Sequence, residues 1–292
     1  PSGSTVTAGT VSLASCWLYN SGTVSLGDTT VSGNTVLSSG TYTFGDLLVT
    51  NSSVLTCTQA YIVANNVTVD SGSLISANGK GSAAQSGSGA GVSSGGGGYG
   101  GIGGIGALSG SAGGGTYGSV TAPVSLGSGG WGTGGAGGGA IRLEVTENLT
   151  VNGVISANGA GGGSGSIYNG GGSGGSIWVT AGSIAGNGSI SAIGGNGQSN
   201  GGGGGGGRIA VYYTANEYTG SMVAYGGTGY QAGGTGTVYT KSGTQTHGDL
   251  VLDANSRSGG GTSLSGSLEF DSLTVTNSAK PVIPSGSTLT AG

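Results

Sequence analysis

The sequence predicts an all-β protein: a right-handed parallel β-helix (β-solenoid) with glycine-rich, polyglycine-II-like insertions stacked on one side. Three observations predict it. Glycine supplies 75 of the 292 residues, and each glycine in a helix interior costs about 1 kcal/mol relative to alanine, which argues against a helical domain. Short runs alternate apolar and polar residues, the period-two pattern of strands with one buried face. These runs also recur at fairly regular intervals, as stacked repeats do.

The strand repeat is clearest after Ala140. Segments IRLEV, IWVTA, IAVYY, VYTKS and LEFDS begin at Ile141, Ile177, Ile209, Val238 and Leu268, steps of a size that suits one repeat each. In the first, Ile141, Leu143 and Val145 fall on one side and Arg142 and Glu144 on the other. A shorter phrase follows: GVISANG from Gly153, GSISAIG from Gly188 and GSMVAYG from Gly220, with SLISANG from Ser73 as an earlier version. Aligned, these give an apolar column (Ile75, Ile155, Ile190, Met222) and an alanine column (Ala77, Ala157, Ala192, Ala224). A column of alanine implies a narrow interior at that corner. The stretches 10–13, 29–37, 41–48, 60–63 and 66–70 read as strands of the same plan. Parallel crossovers are right-handed almost always, hence the predicted hand. Ten to twelve coils at about 4.8 Å each give a unit about 50 Å long. The chain is expected to be one solenoid unit, 1–292. N-terminal coils occupy 1–78, a large glycine-rich insertion 79–140, and C-terminal coils with shorter insertions 141–292.

The glycine tracts run at about 79–139, 159–175, 194–207 and 226–236, each leaving the same corner after the alanine column. They read either as flexible surface loops or as ordered threads. The stretch YGGIGGIG from Tyr99 has a threefold rhythm that matches an extended threefold helix. Such threads approach closely, and their buried N–H and C=O groups must then find partners. Ordered packing is the expectation.

Composition excludes several classes. With 4 prolines and no strict Gly-X-Y register the chain is not collagen. Net charge is −4 and the basic residues are scattered, so nucleic acid is not an expected partner. No apolar run reaches the roughly 20 residues of a membrane span. There is no initiator Met or signal peptide, so the chain is expected to be a processed product or fragment.

Cys16 and Cys57, the two cysteines, suggest a disulfide between nearby turns. Asn51, Asn66, Asn148 and Asn187 each open an N-x-Ser/Thr sequon and could carry surface glycans. No catalytic, metal or cofactor site assembles. His247 is the single histidine, and ten carboxylates are dispersed. The glycine runs lack the Lys-Ser/Thr of a phosphate loop and the aspartate of calcium-binding nonapeptides. The chain is expected not to be an enzyme. An outward strip of Arg142, Trp178, Tyr212 and Tyr239, with Ala210 in register, could bind sugars or another filament; the alternative is cross-strand packing against the glycine layer.

The opening phrase, PSGSTVTAG, returns at 284–292 as PSGSTLTAG. A chain whose end repeats its beginning looks like one period of an array, and solenoid ends expose unpaired backbone. Pro1, Val6, Val282, Pro284 and Leu289 are the expected end-to-end contacts, made with copies of the same chain.

The phrases GGGAIRLEVTENLTVNGVISANGAGG, GGSGGSIWVTAGSIAGNGSISAIGGNG and GGGGGGGRIAVYY resemble the glycine-rich β-helical repeat regions of very large bacterial and archaeal surface or secreted proteins, often described as adhesin-like or hemagglutinin-like. The similarity spans about Ile62 to Leu252. It implies an extracellular, extended, passive protein. The tracts also resemble polyglycine bundles of a small glycine-rich antifreeze protein and of phage tail-tip adhesins, although here they are interrupted and grafted onto strands. The expected function is therefore a structural subunit of an extracellular filament, with a glycan-binding adhesin as the alternative and an ice-binding protein as a lesser one.

Overall fold

The computed structural model describes residues 9–19 and 23–292, and among them every regular element is a β-strand. Pro1 and Val6 lie outside the described residues. The chain makes successive passes of short strands. The first pass holds β1 (Thr10–Leu13), β2 (Trp17–Leu18) and β3 (Thr23–Ser25); the second β4 (Asp28–Val31), β5 (Thr35–Leu37) and β6 (Gly40–Thr43). Next come β7 (Asp46–Val49), β8 (Val54–Cys57) and β9 (Gln59–Ala64), then β10 (Asn66–Val69) and β11 (Leu74–Ser76). After the large insertion, the third strand of one pass and the first strand of the next fuse into single long strands. These are β12 (Ala140–Val151), β14 (Ser176–Gly186) and β16 (Arg208–Tyr218), alternating with β13 (Val154–Ser156), β15 (Ser189–Ser191) and β17 (Ser221–Val223), before β18 (Thr237–Ser242).

Among themselves these strands pair only in parallel, pass upon pass. β1, β4, β7, β10, β12, β14, β16 and β18 follow one another in a 13-stranded sheet, joined at β12 by the row β3–β6–β9. β2, β5, β8, β11, β13, β15 and β17 form a second, 7-stranded sheet. The predicted columns hold. Ile75, Ile155, Ile190 and Met222 are in register, and Ala77, Ala157, Ala192 and Ala224 are buried beside them. Inward positions such as Val31, Leu47, Ile62, Leu149 and Ile177 join one continuous core. A single pass could not bury such a row; stacking does.

The C-terminal region departs from the expectation. The LEFDS segment does not stack on VYTKS. Its place is taken by β19 (Asp249–Asp253), which pairs antiparallel with β18 through Val238↔Val251 and Tyr239↔Leu250. The physical cause is the short link: the stretch 243–248 can close a hairpin, whereas a parallel crossover needs a dozen residues or more. β20 (Thr262–Ser263), β21 (Ser267–Phe270), β22 (Ser272–Thr276), β23 (Pro281–Val282) and β24 (Thr288–Ala291) complete two parallel passes: β19 with β22, β20 with β23, β21 with β24. The buried side switches at this hairpin. Val238 faces the first core, while Tyr239, Leu250, Leu252, Leu264 and Phe270 build a second core on the opposite face of the shared sheet.

The glycine tracts are hydrogen-bonded to one another. Gly202 and Gly205 donate to Ser94 and Gly97; Gly203 and Gly206 to Gln231 and Gly234; Gly204 and Gly207 to Gly195 and Ala192. Every third N–H therefore donates to the same neighbouring thread; further threads donate to the carbonyls of 202–207, Gly171 and Gly174 to Gly202 and Gly205, and Gly104 and Gly101 to Gly203 and Gly206. Side chains have no room in this packing. A Cβ on Gly204 would lie 2.0 Å from the Gly172 carbonyl oxygen.

Candidate functional site

Two regions could carry function: the half-exposed arginine stack and the terminal rows of the passes. On the outward side of the first sheet, Tyr61, Arg142, Trp178, Ala210 and Tyr239 occupy one register position. The Arg142 guanidinium lies between two rings, 4.1 Å from the Tyr61 centroid and 4.3 Å from that of Trp178. It also pairs with Glu144 at 3.3 Å, and the Tyr61 hydroxyl donates to the same carboxylate. That bond, with partial burial, raises the Tyr61 pKa. Each cation–ring contact contributes about 0.5–1 kcal/mol at such a half-exposed site. A shallow groove of about 190 Å³ runs beside the stack, lined by Tyr61, Pro123, Val124 and Arg142 among others.

The strip does not continue outward as expected. Ala210 and Tyr239 are buried, and Tyr212 is half-buried, because Val120 and the reversed C-terminal passes lie over them. Tyr212 donates to the Thr121 carbonyl at 2.8 Å, and its ring packs at 5.6 Å on Tyr239. Half of the strip is thus a core seam.

Sequence reasoning missed the polar cluster that fastens the large insertion to the sheet. Arg208 is 2% exposed. Its Nε donates to the Tyr117 carbonyl at 3.0 Å, its Nη1 to Thr237 Oγ1 at 3.4 Å, and its guanidinium faces the Tyr99 ring. No carboxylate pairs with it among the described residues. Burial lowers its pKa, with Tyr99 and Tyr117 acting in the other direction. Tyr99 and Ser176 share a 2.7 Å hydroxyl bond, and Ser176 donates to the Ser125 carbonyl at 2.6 Å. The available signal was a charged residue at the strand position that Ala140 and Ser176 fill with small side chains.

The disulfide expected between Cys16 and Cys57 does not form; both are free thiols. Cys57 aligns with Leu37 and Leu18, whereas Cys16 contacts Thr35, so the two lie two passes apart. That is about 10 Å, beyond disulfide reach. Burial pushes the Cys57 thiol up to about 12.

Among the sequons, Asn51 and Asn187 are exposed between strands. Asn66 and Asn148 instead belong to a corner ladder. Asn66 Nδ2 donates to Asp46 at 3.0 Å, Asn148 Nδ2 to Asn66 at 2.9 Å, and Ser183 Oγ to Asn148 at 2.7 Å. The amide nitrogens a glycan would need are engaged in holding the corner. Among the described residues no three His, Cys, Asp or Glu side chains converge as a metal site would require. His247 pairs with Glu269 at 3.5 Å on the surface.

Both ends of the stack leave apolar rows open. At the C-terminal end Val275, Val282 and Ile283 are 41–45% exposed, and Leu273, Pro284 and Leu289 are half-buried. One pass inward, Leu250, Leu252, Leu264 and Phe270 are at most 2% exposed. At the other end Val11, Leu18, Val24 and Leu26 are half-buried, and one pass inward Val31, Leu37, Tyr42 and Phe44 are buried. Trp17 and Tyr19 stand exposed beside that row.

Comparison with known proteins returned no family model, no curated protein and no solved structure that matches the chain. No helix of the described residues is long and apolar enough to cross a membrane.

Proposed function

We propose that this chain is a structural subunit, or one tandem unit, of an extracellular filament. In this reading it is a right-handed parallel β-solenoid whose glycine threads pack as polyglycine II and whose open ends join head to tail. The observation that carries the proposal is the pair of apolar terminal rows. Side chains at core positions are buried one pass inward and only partly covered in the last pass at both ends, Leu13 excepted. Monomeric solenoids close such ends with polar caps. A head-to-tail contact is heterologous and, without ring closure, propagates as a fibre. The hydrogen-bonded glycine layer suits a load-bearing role, because its threads are tied sideways rather than left to flex. Negative-stain imaging and sedimentation at rising concentration test it: filaments support the proposal, and discrete monomers at high concentration count against it.

A second reading rests on the half-exposed Tyr61–Arg142–Trp178 stack and its groove, which present two aromatic rings and a cation where a sugar could dock. Glycan-array binding lost on Trp178→Ala would favour this adhesin function; no binding would remove it.

A further inference from the structure

We infer the register of the head-to-tail joint: β22 of one copy receives β1 of the next, so that Ser272, Leu273, Thr274 and Val275 lie beside Thr10, Val11, Ser12 and Leu13. This rests on the filament reading and specifies its interface. Four observations carry it.

The repeat runs through the joint. Strands on the β1 side advance from Thr10 to Asp28 and from Asp46 to Asn66, and those of the C-terminal passes from Asp249 to Ser272. Each step is roughly 20 residues, the length of a short solenoid repeat. The segment 284–292 repeats 1–9, so at the joint the two phrases compete for one place, which β24 fills by pairing with β21. With that phrase counted once, Thr10 of the next copy follows Gly292, and its step from Ser272 has the same size.

The order of strands matches. In the last C-terminal pass the chain visits β22, β23 and β24; in the first pass it visits β1, β2 and β3. The apolar positions match too. Leu273 and Val275 continue the inward row of Leu250 and Leu252, and Val11 and Leu13 begin the inward row that ends buried at Val31. The outward positions Ser12 and Thr274 are exposed. Finally, the polar corner is the same. Ser272 Oγ donates to Asp249 at 2.5 Å, and Thr10 aligns with Asp28, whose carboxylate accepts the Asp46 N–H at 3.0 Å.

The symmetry of the fibre follows. β19 runs antiparallel to β18 and its core lies on the opposite sheet face. Reversing strand direction and core side while stacking in one direction is a half-turn about the stacking axis, which preserves the hand of the coil. Each copy placed on β22 is therefore turned by about 180° from the one below, before any accumulated sheet twist. The hydrogen-bonded path from β1 to β22 is ten strands, so the rise is about 48 Å at about 4.8 Å per strand.

Engineered cysteines test the register. In a Cys16→Ser background, Ser12→Cys with Thr274→Cys places two thiols on facing outward positions. Neighbouring strands separate the Cα atoms by about 4.8 Å, inside disulfide range. Within one copy β1 and β22 are at opposite ends of the sheet, so a bond forms only between copies. The control, Ser12→Cys with Thr276→Cys, is out of register by one side-chain repeat, at about 8 Å, and cannot bridge. The expected result, after oxidation of assembled and circular-dichroism-checked protein, is a ladder of covalent multimers on a non-reducing gel for the first pair and none for the control. Filaments without that ladder, or with the control ladder instead, overturn the register and leave the filament proposal standing. Folded protein with neither filaments nor cross-links overturns both.

Discussion

Replacing Gly204 with alanine should destabilise the glycine layer despite being the mildest substitution available. The new Cβ would sit 2.0 Å from the Gly172 carbonyl oxygen, so one thread must give way, and the obstruction is backbone rather than a flexible side-chain tip. Gly204 donates to Gly195 at 2.8 Å and accepts from Gly227 at 2.8 Å. Moving the thread breaks both bonds, about 1 kcal/mol each, and overpacking adds about 1–3 kcal/mol. Against this, alanine lowers the entropy of the unfolded chain, a gain of about 0.4–1 kcal/mol. The net loss is about 3 kcal/mol, a fall of roughly 6 °C in Tm for a chain of this size. The internal control is Gly115→Ala. Nothing lies within 4 Å of that Cβ, so only the entropic gain applies and Tm should hold or rise slightly. Scanning calorimetry gives the totals, and hydrogen exchange across 192–236 locates the damage. Equal Tm values for wild type and Gly204→Ala would refute close threefold packing and favour loosely held loops.

Three further outcomes follow from the same geometry. Arg208→Ala should cost about 2–4 kcal/mol in urea denaturation, since it opens a cavity and strands the Tyr117 carbonyl, whereas Arg208→Met, which keeps the volume, should cost clearly less. In native protein one thiol should react with a maleimide: Cys16 is partly exposed, and Cys57, buried with its pKa pushed up to about 12, should react only after denaturation. Alkali should destabilise the fold. Burial raises Tyr117 and Tyr218 to about 12, so these phenols hold their protons more tightly folded than unfolded. Their contribution is complete below about pH 10 and is lost as pH rises through about 12, which denaturation midpoints between about pH 9 and 12 will report; a flat profile there contradicts the burial of these rings.

Much of the stack was legible because its signal is local and repeated. The alanine column and the Ile75–Met222 column required no knowledge of distant contacts, only alignment at period two. The reversal at β18 was not read, although the short link at 243–248 carried it. VYTKS and LEFDS fit the strand pattern equally well, and only the length of the link decides between crossover and hairpin. The same reversal places Tyr239 and Tyr212 in a core seam rather than on the surface. The cysteine pairing failed for a different reason. The separation of Cys16 and Cys57 in sequence says how many passes intervene only once the pass length is known, and at roughly 20 residues per pass it is two. The Arg208 cluster was hidden because its partners, Tyr99 and Tyr117, come from the insertion, far earlier in the chain.

Helical reconstruction of assembled protein from electron micrographs tests the central claim most directly. The expected result is a single continuous sheet row along the fibre, a rise of about 48 Å per subunit at about 4.8 Å per strand, and a rotation near a half-turn between neighbours. Subunits joined side by side through the glycine layer, or stacked with all strands running the same way, would contradict it.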